Sequence, residues 1–462
     1  MTAPRRALVV GGGIAGLAAA VELVDDPRFE VELWEAADRL GGKIATSRFA
    51  GLDHIDEAAD AYLVRVPHAT AFAERVGLDA DDLTAPTGAG AMVWHDRLHD
   101  IPGGILLGVP AAVRPFVTTS LLSWKGKLRA AAEPLLPRTD PDDSLGHLIR
   151  ARFGDEVHER LVDSLVGSIY ATDTDRSSLA AVPQLADLAS NNRSLLLGGM
   201  GVRRRAPVPT PGAAIFGSPR RGMARLITAA ADYVSGRGGA ISTHRRVAMI
   251  EPDGEGWRVD GERFDAVVLA SPAKPTAPLL AGVSPDAAAA LGSFEHADVI
   301  MVRLRVAADT WPEHLMGRSG YLVPKPDQRF VTAASFASQK WAHWAPADGS
   351  QILRVSLGRD GLPVADLDHD AAIAATVDET GRHLELDIQP EEVSVTRWIG
   401  AFPQYRPHHH RLVAGAEAAL PSSIVLAGAS YHGIGIPACI AGAQRAVERI
   451  KESTPTADEF LT

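Results

Sequence analysis

Of the 462 residues only one is a cysteine, Cys439. That excludes an intramolecular disulfide, a zinc site built from cysteines and an iron–sulfur cluster held within the chain, and it suits a reducing cytoplasm. Lysine is also scarce: seven of the 46 basic residues are Lys and the rest Arg, which with abundant Ala points to the coding bias of a GC-rich bacterial genome. There is no excess of positive charge, since the formal net charge is −11. This argues against a nucleic-acid partner and obliges any anionic substrate to find a local basic patch. Nor is there an apolar run of the ~18 uninterrupted residues that a membrane span needs. The segment 101–124 is apolar, but its Pro, Gly and Arg114 favour a channel or core, with membrane contact at most peripheral. Internal repeats and low-complexity tracts are missing too.

What is present is a chain long enough for two or three cores, with 46% hydrophobic and 22% charged residues, the balance of a folded globular protein. Residues 6–10 read as a strand, 14–25 as an Ala/Leu-rich helix and VELWEA from Val31 as a second strand, a βαβ unit within about 30 residues. From 69 onward apolar residues recur at three- and four-residue spacing, the pattern of helices. Later segments return to strands: a hairpin around PDGEG (252–256), FDAVVLAS, DVIMVRLRV, QILRVSLGR and SSIVLAGAS. The expected architecture is an α/β (α+β composite) protein with interleaved parts. A Rossmann-like dinucleotide-binding domain takes 1–68, 211–288 and 397–452, an inserted helical domain 69–210, a mixed-sheet substrate domain 289–396, and a tail 453–462.

The opening segment resembles a secretory signal only superficially, because its apolar run carries a nucleotide-binding fingerprint. Gly11 permits the tight turn after the strand, Gly13 lets the backbone approach a pyrophosphate and Gly16 allows close helix–strand packing, with Gly12, Ile14 and Ala15 between them. Alone this spacing is weak. It gains force from Glu35, at the end of the second strand, where a carboxylate meets the ribose hydroxyls. The stretch EAADRLGGKIAT, with Ala36, Arg39, Gly41, Gly42 and Lys43, resembles the amine-oxidase-like flavoproteins and implies resident FAD. Lys43 stands where that group more often has Arg, which keeps the charge but loses the planar fork. RVAMIEP resembles the segment whose valine, here Val247, contacts adenine. YHGIGIPACI resembles the segment that presents Ile434, Gly435 and Ile436, at a helix N-terminus, to the isoalloxazine.

The middle of the chain narrows the resemblance. FGDEVHERLVDSLVGSIYATDTDRSSL, SPRRGMARL, ASQKWAHWAP and RWIGAFPQYRPHHHRL are similar, in order and spacing, to the protoporphyrinogen/coproporphyrinogen oxidase family. The resemblance implies oxygen-dependent removal of six electrons from a porphyrinogen in haem biosynthesis, with three hydrogen peroxide released and coproporphyrinogen III preferred. Protoporphyrinogen IX oxidation stays open, as does a carotenoid or amine oxidase-like activity. A flavin-free binding protein like the Rab escort proteins is disfavoured by Glu35 and the GGK extension. The resemblance places Ala58, Ala59, Asp60, Ala61 and Trp398 at the flavin, although a Gly-Pro-Asp-Ser pattern is usual at 58–61, and a glycine where Thr172 stands. It makes Tyr170 and Thr172 substrate neighbours, and Arg65, Arg193, Arg203 to Arg205 and Lys340 candidates for propionates, with a place near flavin N5 as the alternative for Lys340. A ferrochelatase is an implied transient partner. His408, His409 and His410 cannot all face one ion, so they are expected in a loop with one buried partner, and no metal is expected.

Overall fold

The computed structural model describes residues 3–79, 82–88, 90–137, 144–205 and 214–453. Its first layer is a parallel five-stranded sheet in the order Ala240–Ser242, Phe29–Trp34, Arg5–Val10, Ala266–Leu269, Ile424–Leu426. We label Arg5–Val10 β1, Ile14–Val24 α1 and Phe29–Trp34 β2. Both faces of this sheet are covered, which is why its strands are apolar runs rather than alternating ones. Ala7, Val9, Val31 and Leu33 pack with α1 and the helix Ile436–Glu452, while Leu8, Val10, Val267 and Leu269 join a second core with Trp34 and Val247.

The second layer is a seven-stranded sheet in the order Glu392–Pro403, His296–Val306, Gln351–Leu357, Val331–Phe336, Gly320–Leu322, Met92–His95, Arg97–Asp100. The helix His369–Leu384 covers it, started by Asp368, whose carboxylate accepts the Ala371 N–H at 2.8 Å. Two expectations change here. The stretch 69–210, read as helical, also supplies the hairpin Met92–His95/Arg97–Asp100, four-residue strands too short for their period to stand out. A boundary at 396/397 falls inside one continuous strand, Glu392–Pro403.

The rest of the inserted region is helical with its own core around Leu148, Ile149, Leu161 and Val166. Its centre, His158–Gly167, is a π-helix. In the 101–124 run Phe116, Leu121 and Leu122 are buried, but Val113, Val117 and Trp124 face outward, so the segment is only partly core. Among the described residues no helix is long and apolar enough to cross a membrane. Of the expected tail, only Ser453 lies within the described residues.

Candidate active site

The site begins where β1 ends. Gly11 turns the chain with φ +106°, a conformation other residues rarely adopt, and a Cβ on Gly16 would sit 1.9 Å from the Gly11 carbonyl oxygen. A Cβ on Gly13 would meet nothing within 4 Å, so the start of α1 borders open space. No side chain caps α1, and its first turn carries no acid. Its free N–H groups and dipole therefore form an anion cradle. Beside it the Glu35 carboxylate accepts the Gly12 N–H at 2.6 Å and the Ala37 N–H at 2.8 Å, leaving acceptor capacity for hydroxyl donors. The Gly41 N–H donates to the Gly12 carbonyl at 2.8 Å, laying the GGK loop over the cradle. Arg39 is exposed and its guanidinium is taken up by the carbonyls of Leu40, Gly42 and Ile44, which makes it a staple of that loop. Ala36 is exposed, Ala15 buried and Ile14 half-buried.

From this loop Lys43 reaches the strand Glu392–Pro403, donating from Nζ to the Ala401 carbonyl at 2.7 Å. Burial holds its pKa below the ordinary lysine value and pushes the neighbouring Cys439 thiol up to about 11. On the same strand the Trp398 indole N–H is buried without a partner among the described residues, as are both ring nitrogens of His296. Burial, reinforced by the charges of Lys274 and Lys43, lowers His296 to about 4. Orphaned buried polar atoms of this kind call for a ligand. A second uncapped helix N-terminus, Gly435 before Ile436–Glu452, lies on a helix packed against α1. The turn leading to it is clamped by Tyr405, whose hydroxyl accepts the Gly433 N–H and donates to the Ala429 carbonyl, both at 2.7 Å.

Ala58 to Ala61 follow the hairpin Thr46–Phe49/Leu52–Asp56. Asp60 accepts from Lys340 Nζ at 2.8 Å, Arg354 Nη1 at 3.0 Å and Trp341 Nε1 at 3.1 Å, and Arg354 also binds the Ala58 carbonyl. Burial alone would raise Asp60, but the charges of Lys340 and Arg354 outweigh it and hold the carboxyl well below its usual range. Lys340 is thus bound to the segment expected at the flavin.

A small cavity is lined by Tyr170, Thr172, Ser177, Ala181, Pro403, Tyr405 and Ile434. It unites Tyr170 and Thr172 of the inserted region with Ile434, in the turn that leads to the helix Ile436–Glu452. Thr172 is 3% exposed and its hydroxyl has no partner among the described residues. Burial keeps Tyr170 and Tyr405 above the ordinary phenol range, hence neutral. The turn before Thr172 is held by Ala171 in a left-handed conformation, φ +48°, whose carbonyl accepts the Asp360 N–H at 2.9 Å and Gln404 Nε2 at 3.2 Å. Behind it Asp163 and Arg359 form a buried pair with two contacts of 2.7 Å. Arg193 and Arg65 are not brought here: Arg193 lines a separate groove and Arg65 is exposed beyond the strand Tyr62–Leu63. Arg203 to Arg205 end the helix Leu195–Arg205 on the surface. His409 is buried, stacked on Tyr405 at 4.0 Å with Nε2 against the Ser430 carbonyl at 3.0 Å. It begins the helix His409–Ala418 rather than sitting in a loop. Tyr405, Gln404, Asp163 and Arg359 were not singled out from sequence, because partners 24 to 233 residues away leave no local spacing to read.

A model of the flavin containing amine oxidoreductases matches residues 14–451. The coproporphyrinogen III oxidase of Mycobacterium bovis is 33% identical over 97% of this chain and 98% of its own length. That of Bacillus subtilis is 29% identical over 96% and 97%. The crystal structure of a candidate protoporphyrinogen oxidase from Exiguobacterium superposes with a TM-score of 0.86 at 27% identity, covering 98% of this chain and 100% of that one.

Proposed function

The chain belongs to the flavin containing amine oxidoreductase family, an FAD-dependent oxidoreductase, and from that premise we propose that it oxidises coproporphyrinogen III to coproporphyrin III in haem biosynthesis. The observation carrying this reading is the end-to-end similarity to coproporphyrinogen III oxidases of two bacterial lineages, including the inserted region that walls the cavity. Six electrons and six protons leave the substrate in three rounds, and three oxygen molecules take them as three hydrogen peroxide.

Bound FAD supplies a two-electron acceptor that oxygen restores. The residues present suit it. The free N-terminus of α1 at Gly13 would hold the pyrophosphate, and Glu35 the ribose. Trp398, Lys43 and the segment Ala58 to Ala61 would hold the flavin end, with Ile434, Gly435 and Ile436 placing a helix N-terminus where negative charge develops. Val247, buried beside Trp34, would back the adenine. Tyr170, Thr172 and Tyr405 orient the macrocycle, and because both phenols stay neutral they act by position rather than as bases. Lys340, held by Asp60, contributes a fixed positive charge beside the flavin segment. A cytoplasmic setting, where oxygen diffuses freely and Cys439 stays reduced, suits the chain, as does transient docking with a ferrochelatase to collect the product.

Protoporphyrinogen IX is the second reading, favoured by the superposition with the Exiguobacterium protein. The test is anaerobic stopped-flow reduction of the FAD-loaded enzyme by each porphyrinogen. Faster bleaching by coproporphyrinogen III supports the proposal. A preference for protoporphyrinogen IX shifts it to the second reading, and bleaching by neither overturns both.

A further inference from the structure

A second concavity lies apart from the small cavity at Tyr170 and Thr172. It is a groove of about 990 Å³, at the upper end of the size of small-molecule sites, between the helices Pro183–Asn191 and Leu195–Arg205. Leu188 and Leu197 give it an apolar surface, while Arg193 and Arg205 bring two guanidinium groups to the same hollow. Both side chains are exposed, and neither guanidinium has an ion-pair partner among the described residues, so both are free to pair with a ligand. Asp187, in the neighbouring turn of the first helix, is the one carboxylate in the lining.

The groove is pre-organised from beneath. Glu133 and Arg152 form a fully buried pair, Nε to Oε1 at 2.7 Å. Arg152 also donates to the Arg193 carbonyl at 2.7 Å, and Glu133 accepts the Leu195 N–H at 2.9 Å and the Leu196 N–H at 3.3 Å. The connection is thereby held at Arg193 and at the start of the second helix, which fixes that wall of the groove.

We propose that this groove is a second binding site, distinct from the flavin cavity, for the planar polycarboxylate product. The inference rests on the porphyrinogen reading of the active site. Loss of six hydrogens turns a puckered macrocycle into a flat aromatic one with its carboxylates unchanged, an anionic disc with two apolar faces. The small cavity at Tyr170 and Thr172 has no cation in its own lining, whereas the groove offers two guanidinium forks beside apolar side chains. A flat product leaving that cavity meets, in the groove, guanidinium groups that pair its carboxylates beside an apolar surface for its face.

The test titrates coproporphyrin III into the FAD-loaded enzyme while recording porphyrin fluorescence and flavin absorbance. Two binding events per chain are expected, one that perturbs the flavin spectrum and one that does not. The double substitution Arg193→Glu and Arg205→Glu should weaken the silent event by roughly tenfold or more and leave the flavin-perturbing one in place. A single event, or a silent event indifferent to the substitutions, overturns the proposal. So does displacement of porphyrin by equimolar dodecanoate, which would make the groove a site for fatty anions. Anaerobic bleaching by coproporphyrinogen III in the same preparation tests the parent reading separately. Bleaching without a silent event sinks the groove alone, and a silent event without bleaching sinks the parent reading while keeping the groove as a porphyrin site.

Discussion

Asp56 ends the strand Leu52–Asp56, with one carboxylate oxygen accepting the Met223 N–H at 2.8 Å and the Thr46 hydroxyl, and the other buried without a partner among the described residues. Burial pushes its carboxyl up to about 7, so the folded state favours the neutral acid. Its contribution to stability is complete below the unfolded value near 4 and is lost as pH rises through about 7. Asp56→Asn should therefore gain on the wild type steadily as pH rises from about 4 to about 7 and melt a few degrees higher at pH 8; parallel pH profiles for the two proteins would refute this. At Gly16 the forecast is more severe. An added methyl meets the Gly11 carbonyl at 1.9 Å, so Gly16→Ala should purify without flavin absorbance near 450 nm (an approximate flavin maximum). Lys340→Met removes the cation paired with Asp60 and should slow flavin reduction by about tenfold or more, and an unchanged bleaching rate would dismiss Lys340 from the chemistry.

The π-helix His158–Gly167 shows how an element far from the cofactor shapes the cavity. It carries Asp163, whose carboxylate also accepts the Thr174 hydroxyl at 2.6 Å, and it runs into the left-handed Ala171 beside Thr172. Removing one partner of a buried pair leaves the other charge uncompensated, so Arg359→Met should cost about 3–5 kcal/mol, visible as a lower urea midpoint, with a raised KM and partial recovery in Arg359→Lys. A normal midpoint would show the pair to be dispensable. Elements of this sort mark the boundary of what was legible from residues alone. β1, α1, β2 and the strands at Ala266–Leu269 and Ile424–Leu426 were readable because long apolar runs and a glycine fingerprint are local signals. The hairpin at Met92–His95 was not, since two four-residue strands carry too little period. At the site, Glu35 and Gly13 stood at fixed offsets from the fingerprint, but Tyr405 acts through carbonyls and amides more than 20 residues away, and Arg193 belongs to another hollow altogether.

At the scale of the whole molecule, the parallel sheet is assembled from four separated stretches of chain, and the seven-stranded sheet from segments between and around them. Neither layer closes without the others, so the protein should unfold in one transition. Saturating FAD, bound to the native state alone, should raise that transition for every probe together, by about 2.7 kcal/mol at a hundredfold excess over Kd. Separate shifts for the two sheets would contradict this. The same arrangement bears on biosynthesis. The cradle at Gly11 to Gly16 leaves the ribosome more than 400 residues ahead of the turn at Ile434 to Ile436, so the two uncapped helix N-termini meet only after that whole stretch has been made. A chain truncated before Ile434 should therefore purify without flavin colour.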